Sequence, residues 1–247
     1  MDPRQILALA QEAGLKAVEW GGDVHVPPGN LGHARQVAAL TSDAGLAAIS
    51  YGSYLRVGNG EDAEPWVQTA RALGCSVMRV WAGNRGSAQA DPEHYACAVA
   101  ELRQACRIAA QAGIACALEY HEATLADTPA AVKRLLADVG DPSLRSYWQV
   151  IQPPAAAAKL LEQVTALGPV LAHLHVFQRA PAGPGLMPLE EGAEAWRTLL
   201  KAAAADGSLH GAFVEFVQDG QVEAFERDAR ALAAWCQRVN FEEPRGA

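Results

Sequence analysis

Ile114-Ala115-Cys116-Ala117-Leu118-Glu119-Tyr120-His121 is a short apolar run that stops on an acid. Gly113 precedes it, and Thr124-Leu125-Ala126-Asp127-Thr128-Pro129 follows, rich in the residues that turn a chain and open a helix. A continuous apolar run of this length between such signals predicts a strand buried on both faces. Two more segments follow the same plan. Phe213-Val214-Glu215-Phe216-Val217 carries a single acid, and Leu171-Ala172-His173-Leu174-His175-Val176 carries imidazoles instead.

Outward from these strands, helix and strand alternate along the whole chain. Apolar periodicity predicts helices over 3–13, 31–44, 62–73, 92–112, 129–138, 154–167, 189–205 and 221–238. Strands are predicted over 17–20, 46–51, 75–81, 114–120, 145–150, 170–177 and 212–217. Gly14, Gly45, Gly74, Gly113 and Gly168 each separate a helix from the strand after it, as a glycine helix terminator does. The fold class is therefore parallel α/β, and the 247 residues, with no low-complexity linker, are expected to form one domain, 1–247. A (β/α)8 TIM barrel fits this size and rhythm, and such a barrel keeps its chemistry at the carboxyl ends of its strands. The count is seven strands and eight helices, so the first strand is expected to be missing through a shortened amino terminus. An open seam would expose two strand edges and favour a homo-oligomer.

Composition narrows the function classes. Half the residues are hydrophobic, enough for a large core, and the net charge of -8 opposes a nucleic-acid partner, whose phosphates call for a basic face. The five cysteines (Cys75, Cys97, Cys106, Cys116, Cys236) have no CxxC spacing and read as reduced core residues. Met1-Asp2-Pro3-Arg4 leads into an amphipathic helix and not an apolar leader, and no apolar stretch approaches the roughly 20 residues of a membrane span. A cytoplasmic protein without a membrane partner is expected. Phosphate-loop, dinucleotide, nucleophile-elbow and HExxH motifs are absent from the sequence.

The candidate chemistry lies at the strand ends. Strand alternation points Glu119 and His121 to one side of their strand and places His173 and His175 on a shared face of theirs. A buried acid needs a cation, a metal or a proton, so Glu119, Glu215 and the imidazoles predict a metal and acid/base site. For His173, a core role is the expected one. His121, Trp81 and Tyr51 are candidate substrate contacts, with Tyr54 and His25 on neighbouring loops as further ones.

The run Val18-Glu19-Trp20-Gly21-Gly22-Asp23-Val24-His25-Val26-Pro27-Pro28-Gly29, the segments Glu119-Tyr120-His121 and Thr124-Leu125-Ala126-Asp127-Thr128, and His173-Leu174-His175 resemble the sugar phosphate isomerase/epimerase family of xylose-isomerase-like TIM barrels. The resemblance covers nearly the whole chain. It implies a metal-dependent isomerase or epimerase of a sugar, a sugar phosphate or a polyol-derived keto compound. Two Glu residues would act as the acid/base pair through an enediolate-like state, and the same two would bind a divalent metal with an Asp and a His. By that likeness the catalytic pair is Glu119 and Glu215, and the metal set is Glu119, Gln149, His175 and Glu215. Gln149 stands where the family has Asp, which removes one negative charge from the set. Nitrogen and oxygen ligands of this kind suit Mn, Co, Mg or Zn. Gln152 falls where the family has a substrate-contacting His, and Arg179 matches its substrate-binding Arg. A dehydratase or lyase on the same barrel, or a barrel that binds a sugar without turning it over, stays open as an alternative.

Overall fold

The computed structural model describes residues 1–151, 155–181, 183, 185–205, 207, 209 and 211–239. In chain order its main elements are α1 (Pro3–Glu12), β1 (Ala17–Gly21), α2 (Leu31–Asp43), β2 (Ala47–Gly52), β3 (Arg56–Val57), α3 (Glu64–Leu73) and β4 (Val77–Ala82). Then come α4 (Pro92–Gln111), β5 (Ala115–Leu118), α5 (Pro129–Val139), β6 (Arg145–Trp148), α6 (Ala157–Leu167) and β7 (Leu171–Val176). The last are β8 (Gln178–Arg179), β9 (Leu186–Met187), α7 (Ala193–Ala203), β10 (Gly211–Val214) and α8 (Val222–Val239). One sheet runs β1-β2-β4-β5-β6-β7-β10, with β3 added beside β4. These seven path strands and eight α-helices are the predicted parallel α/β TIM-barrel fold, and a helix precedes the first described strand.

Two compact units make up the chain: residues 1–8 with 16–147, and residues 9–15 with the described residues from 148 on. In the first, α2, α4 and α5 begin where Asn30, Asp91 and Thr128 accept the backbone N–H three residues ahead, at 3.2, 2.8 and 3.1 Å. These short polar side chains satisfy helix-end donors that have no partner within the helix. Proline in the first turn of α4 and α5 starts each helix with φ already set. The strands between them bury Tyr51, Met78, Val80, Cys116, Leu118 and Tyr147 completely or nearly so. Their parallel register carries an interruption between Val18 and Glu19, so that Val18 faces Ala48 but Glu19 faces Ser50.

In the second unit β7 is buried along its whole length, and β10 pairs with it so that Phe213 faces His175 and Val214 faces Val176. Trp196 of α7 meets Trp148 edge to face with ring centres 6.2 Å apart. Buried Asp228 of α8 accepts the Leu189 N–H at 3.0 Å, which fixes a 3₁₀ turn (Leu189–Gly192) ahead of α7. The predicted helix 189–205 therefore begins as this tighter turn and becomes α-helical only at Ala193. β8 and β9 form an antiparallel hairpin that apolar periodicity does not signal, because two-residue strands carry no period. No helix among the described residues is long and apolar enough to cross a membrane.

Tyr51, a candidate substrate contact by sequence, is 0% exposed, and its hydroxyl donates to the Val26 carbonyl at 2.7 Å. Burial holds its phenol well above the ordinary tyrosine range, with Cys75 and Asp23 adding to the effect. The folded state thus favours the protonated form. The stability this contributes is complete below the unfolded pKa of about 10 and is lost as pH rises beyond it. Urea midpoints should fall between about pH 9 and 11, and Tyr51→Phe should make that fall shallower; equal slopes would place the loss elsewhere.

Candidate functional site

Polar side chains from five strands of the first unit meet: Glu19 of β1, Ser50 of β2, Arg79 of β4, Tyr147 of β6 and Glu119 just past β5. Glu119 follows β5, and its N–H continues the parallel ladder by donating to the Val80 carbonyl at 2.9 Å. Its side chain is 1% exposed. Arg79 of β4, itself 6% exposed, places Nε 3.1 Å from Glu119 Oε2 and Nη1 3.3 Å from Glu19 Oε1. Glu19 lies on β1 and is held from two further strands. Ser50 of β2 donates to its Oε2 at 2.8 Å, and Tyr147 of β6 does so at 2.5 Å. Burial, with the Glu19 charge next, pushes the Tyr147 phenol far up, so it stays protonated and serves as donor.

Above this layer lies an aromatic group. Tyr54, 40% exposed, stacks on Trp81 with ring centres 6.1 Å apart and planes 23° from parallel. His121 sits 5.0 Å from the Trp81 ring, and the Arg56 guanidinium lies 4.5 Å over it. Trp81 and His121, two of the expected substrate contacts, are therefore neighbours. Arg56 also donates to the Gly83 carbonyl at 2.7 Å, so it supports the rim. His25 packs edge-on against Trp20 at 5.7 Å, and its carbonyl meets the His33 ring at 2.8 Å.

In the second unit His175 Nδ1 lies 3.3 Å from Glu215 Oε1, with the imidazole buried and the carboxylate 21% exposed. Glu215 follows β10 directly, and its N–H donates to the Val176 carbonyl at 3.3 Å, one step beyond the last register pair. His173 is fully buried, with Phe213 at 5.1 Å, and the same ring lies 6.4 Å from His175. Gln149, just past β6, is buried. Arg179 sits in the β8–β9 hairpin, with its guanidinium 4.8 Å over the Phe177 ring and its Nε donating to the Val150 carbonyl at 3.2 Å. Gln152 lies outside the described residues. One ligand atom from each of Glu119, His175 and Glu215 falls within 4.8 Å of the others, and this Glu/His/Glu group could hold a metal ion.

A family model described as xylose isomerase-like TIM barrel matches residues 7–238. The chain belongs to that family. Among solved structures, this xylose isomerase-like barrel is similar to the probable 3-DHS dehydratase AsbF of Bacillus anthracis, at 20% identity with 92% of each chain covered and a TM-score of 0.74. It is also similar to a xylose isomerase-like TIM barrel protein of Mycobacterium smegmatis in complex with magnesium, at 16% identity over 96% of this chain and 88% of that one, TM-score 0.74. A D-psicose 3-epimerase of Clostridium cellulolyticum H10, solved with D-tagatose, matches at 14% identity over 98% and 94%, TM-score 0.66. Comparison with curated proteins returns no match. At these identities the solved structures establish the fold of the barrel and leave its reaction open.

Four polar residues of the site, Glu19, Ser50, Arg79 and Tyr147, escape the sequence reading. Glu19 had a usable signal, since Ala17-Val18-Glu19-Trp20 repeats the plan of one acid in an apolar strand. Arg79 in Val77-Met78-Arg79-Val80 had another, because a cation in a buried strand requires a partner. Removing a partner from a buried ion pair is costly, so Glu19→Ala should lower unfolding stability by about 3 kcal/mol in urea titrations. A loss near zero would mean that Glu19 carries no buried charge.

Proposed function

We propose that this xylose isomerase-like barrel is a metal-dependent enzyme that isomerises or epimerises a sugar, a sugar phosphate or a related keto compound in the cytoplasm. The observation that carries the proposal is the convergence of ligand atoms from Glu119, His175 and Glu215 within 4.8 Å, a spacing suited to a shared divalent cation. Gln149 completes the proposed set, an amide oxygen being acceptable to a hard cation. The donors fit Mn, Co, Mg or Zn, and the bound cation supplies polarisation of carbonyl and hydroxyl oxygens.

The proton chemistry belongs to the two carboxylates. Glu119, with Arg79 Nε 3.1 Å from its Oε2, takes a proton from the carbon next to a carbonyl, and the electron pair left behind spreads into an enediolate-like state. Glu215 returns a proton to the opposite face or to the neighbouring carbon. Its partial exposure and its contact with His175 suit a group that exchanges protons with solvent between turnovers. Trp81 and His121, whose rings lie 5.0 Å apart, are assigned to substrate contact, as are Arg179 and Gln152.

A dehydratase shares the first of these steps, so the assay should read proton abstraction before product. Purified protein is loaded with Mn2+, Co2+, Mg2+ or Zn2+ and incubated in D2O with a panel of ketoses, their phosphates and cyclic 2-enone precursors bearing a carboxylate. Deuterium entry beside the carbonyl is followed by NMR. Metal-dependent exchange is expected, lost on chelation and reduced about 10²-fold to 10⁴-fold in both Glu119→Gln and Glu215→Gln. Near-normal exchange in both variants would reject the acid/base assignment, and exchange accompanied by loss of water would move the enzyme to the dehydratases.

A further inference from the structure

Residues of five strands converge on one hydrogen-bonded array in the first unit. Ser50 and Tyr147 both donate to Glu19 Oε2 and touch each other at 2.5 Å, so this oxygen is fixed from two directions. Glu19 Oε1 then faces Arg79 Nη1 at 3.3 Å, and the same guanidinium presents Nε to Glu119 Oε2 at 3.1 Å. The backbone carbonyl of Arg79 is held in turn by the Ser53 hydroxyl. Room for the array comes from Gly52, where a Cβ would lie 2.9 Å from Glu19 Oε1 and 3.1 Å from Arg79 Nη2. Gly52 is not among the glycines with positive φ, so its lack of a side chain is what matters here.

We infer that Arg79 is a positioning residue, anchored by Glu19, whose planar fork sets the orientation of the Glu119 carboxylate. The inference rests on the proposed role of Glu119 and deepens it. A guanidinium can address two carboxylates from fixed edges of one plane, which the rotatable point charge of lysine cannot do. Glu19 has a second effect. A lone arginine beside Glu119 would cancel its charge and repel a cation, whereas the Glu19–Arg79 pair is neutral overall. The fork therefore orients Glu119 while leaving the charge of the site intact. Partners of this type, one shell behind a ligating carboxylate, typically change metal affinity or activity 10-fold to 100-fold.

Charge-conserving variants isolate orientation from electrostatics. Arg79→Lys keeps the charge and loses the fork, Gly52→Ala pushes the array apart by volume alone, and Arg79→Met with Glu19→Gln removes both charges together. Apo protein of each is titrated calorimetrically with Mn2+ alone, after thermal unfolding has shown it folded. Each variant should bind Mn2+ about 10-fold to 100-fold more weakly than the parent protein, and should add less than about 2-fold to the loss already caused by Glu119→Gln. Unchanged Mn2+ affinity in Arg79→Lys, or an equal loss when Glu119→Gln is already present, would overturn the inference. A crystal structure of Arg79→Lys decides the matter independently of any metal. A displaced Glu119 carboxylate supports positioning, and a carboxylate left in place refutes it. If the parent protein takes up no Mn2+ while the carboxylate still moves in Arg79→Lys, the metal proposal alone fails.

Discussion

A carboxylate enclosed to the extent of Glu119 stays ionised only beside a cation, and the fold meets that demand with Arg79 on the adjacent strand. The demand then propagates. Arg79 is itself buried and carries a charge that water does not solvate, so Glu19 is drawn in on its other edge, and Ser50 and Tyr147 both donate to Glu19 Oε2. Each step offsets the desolvation left by the one before it. Two of its members, Ser50 and Tyr147, are neutral hydroxyls, which accept burial cheaply once hydrogen-bonded.

Such an array exists because the strands of the first unit pair in parallel, which keeps the side chains of neighbouring strands in a common register. In an antiparallel sheet neighbouring strands would send their carboxyl ends to opposite edges. Here Glu119 in the first unit and Glu215 in the second each sit one residue past a strand and extend the parallel ladder of their own unit by one backbone hydrogen bond. That placement gives each acid a rigid backbone, with Glu119 buried and Glu215 partly exposed. β4 and the loops after β2 and β5 supply the aromatic group of Trp81, Tyr54 and His121.

The cycle of elements was legible along the chain. Apolar runs such as Leu171–Val176 and the polar residues that open α4 and α5 are local signals, and local hydrogen bonding or burial explains each of them. The start of α7 was not legible, because the anchor that tightens it, Asp228, lies 39 residues away in α8. Tyr51 shows what a local signal leaves out. An aromatic at a strand end suggests a substrate surface, yet its hydroxyl is taken by the Val26 carbonyl.

The alternation of parallel strands and helices, and the acids and imidazoles at the strand ends, follow from the amino-acid order alone, since hydrophobic period and chain direction are properties of neighbours in sequence. Which of those charges meet is a property of register. The interruption after Val18 skips Ile49 and brings Ser50 opposite Glu19, and Arg79 reaches Glu119 across paired strands. Neither contact has a counterpart within a short stretch of chain, so only the folded sheet could decide them.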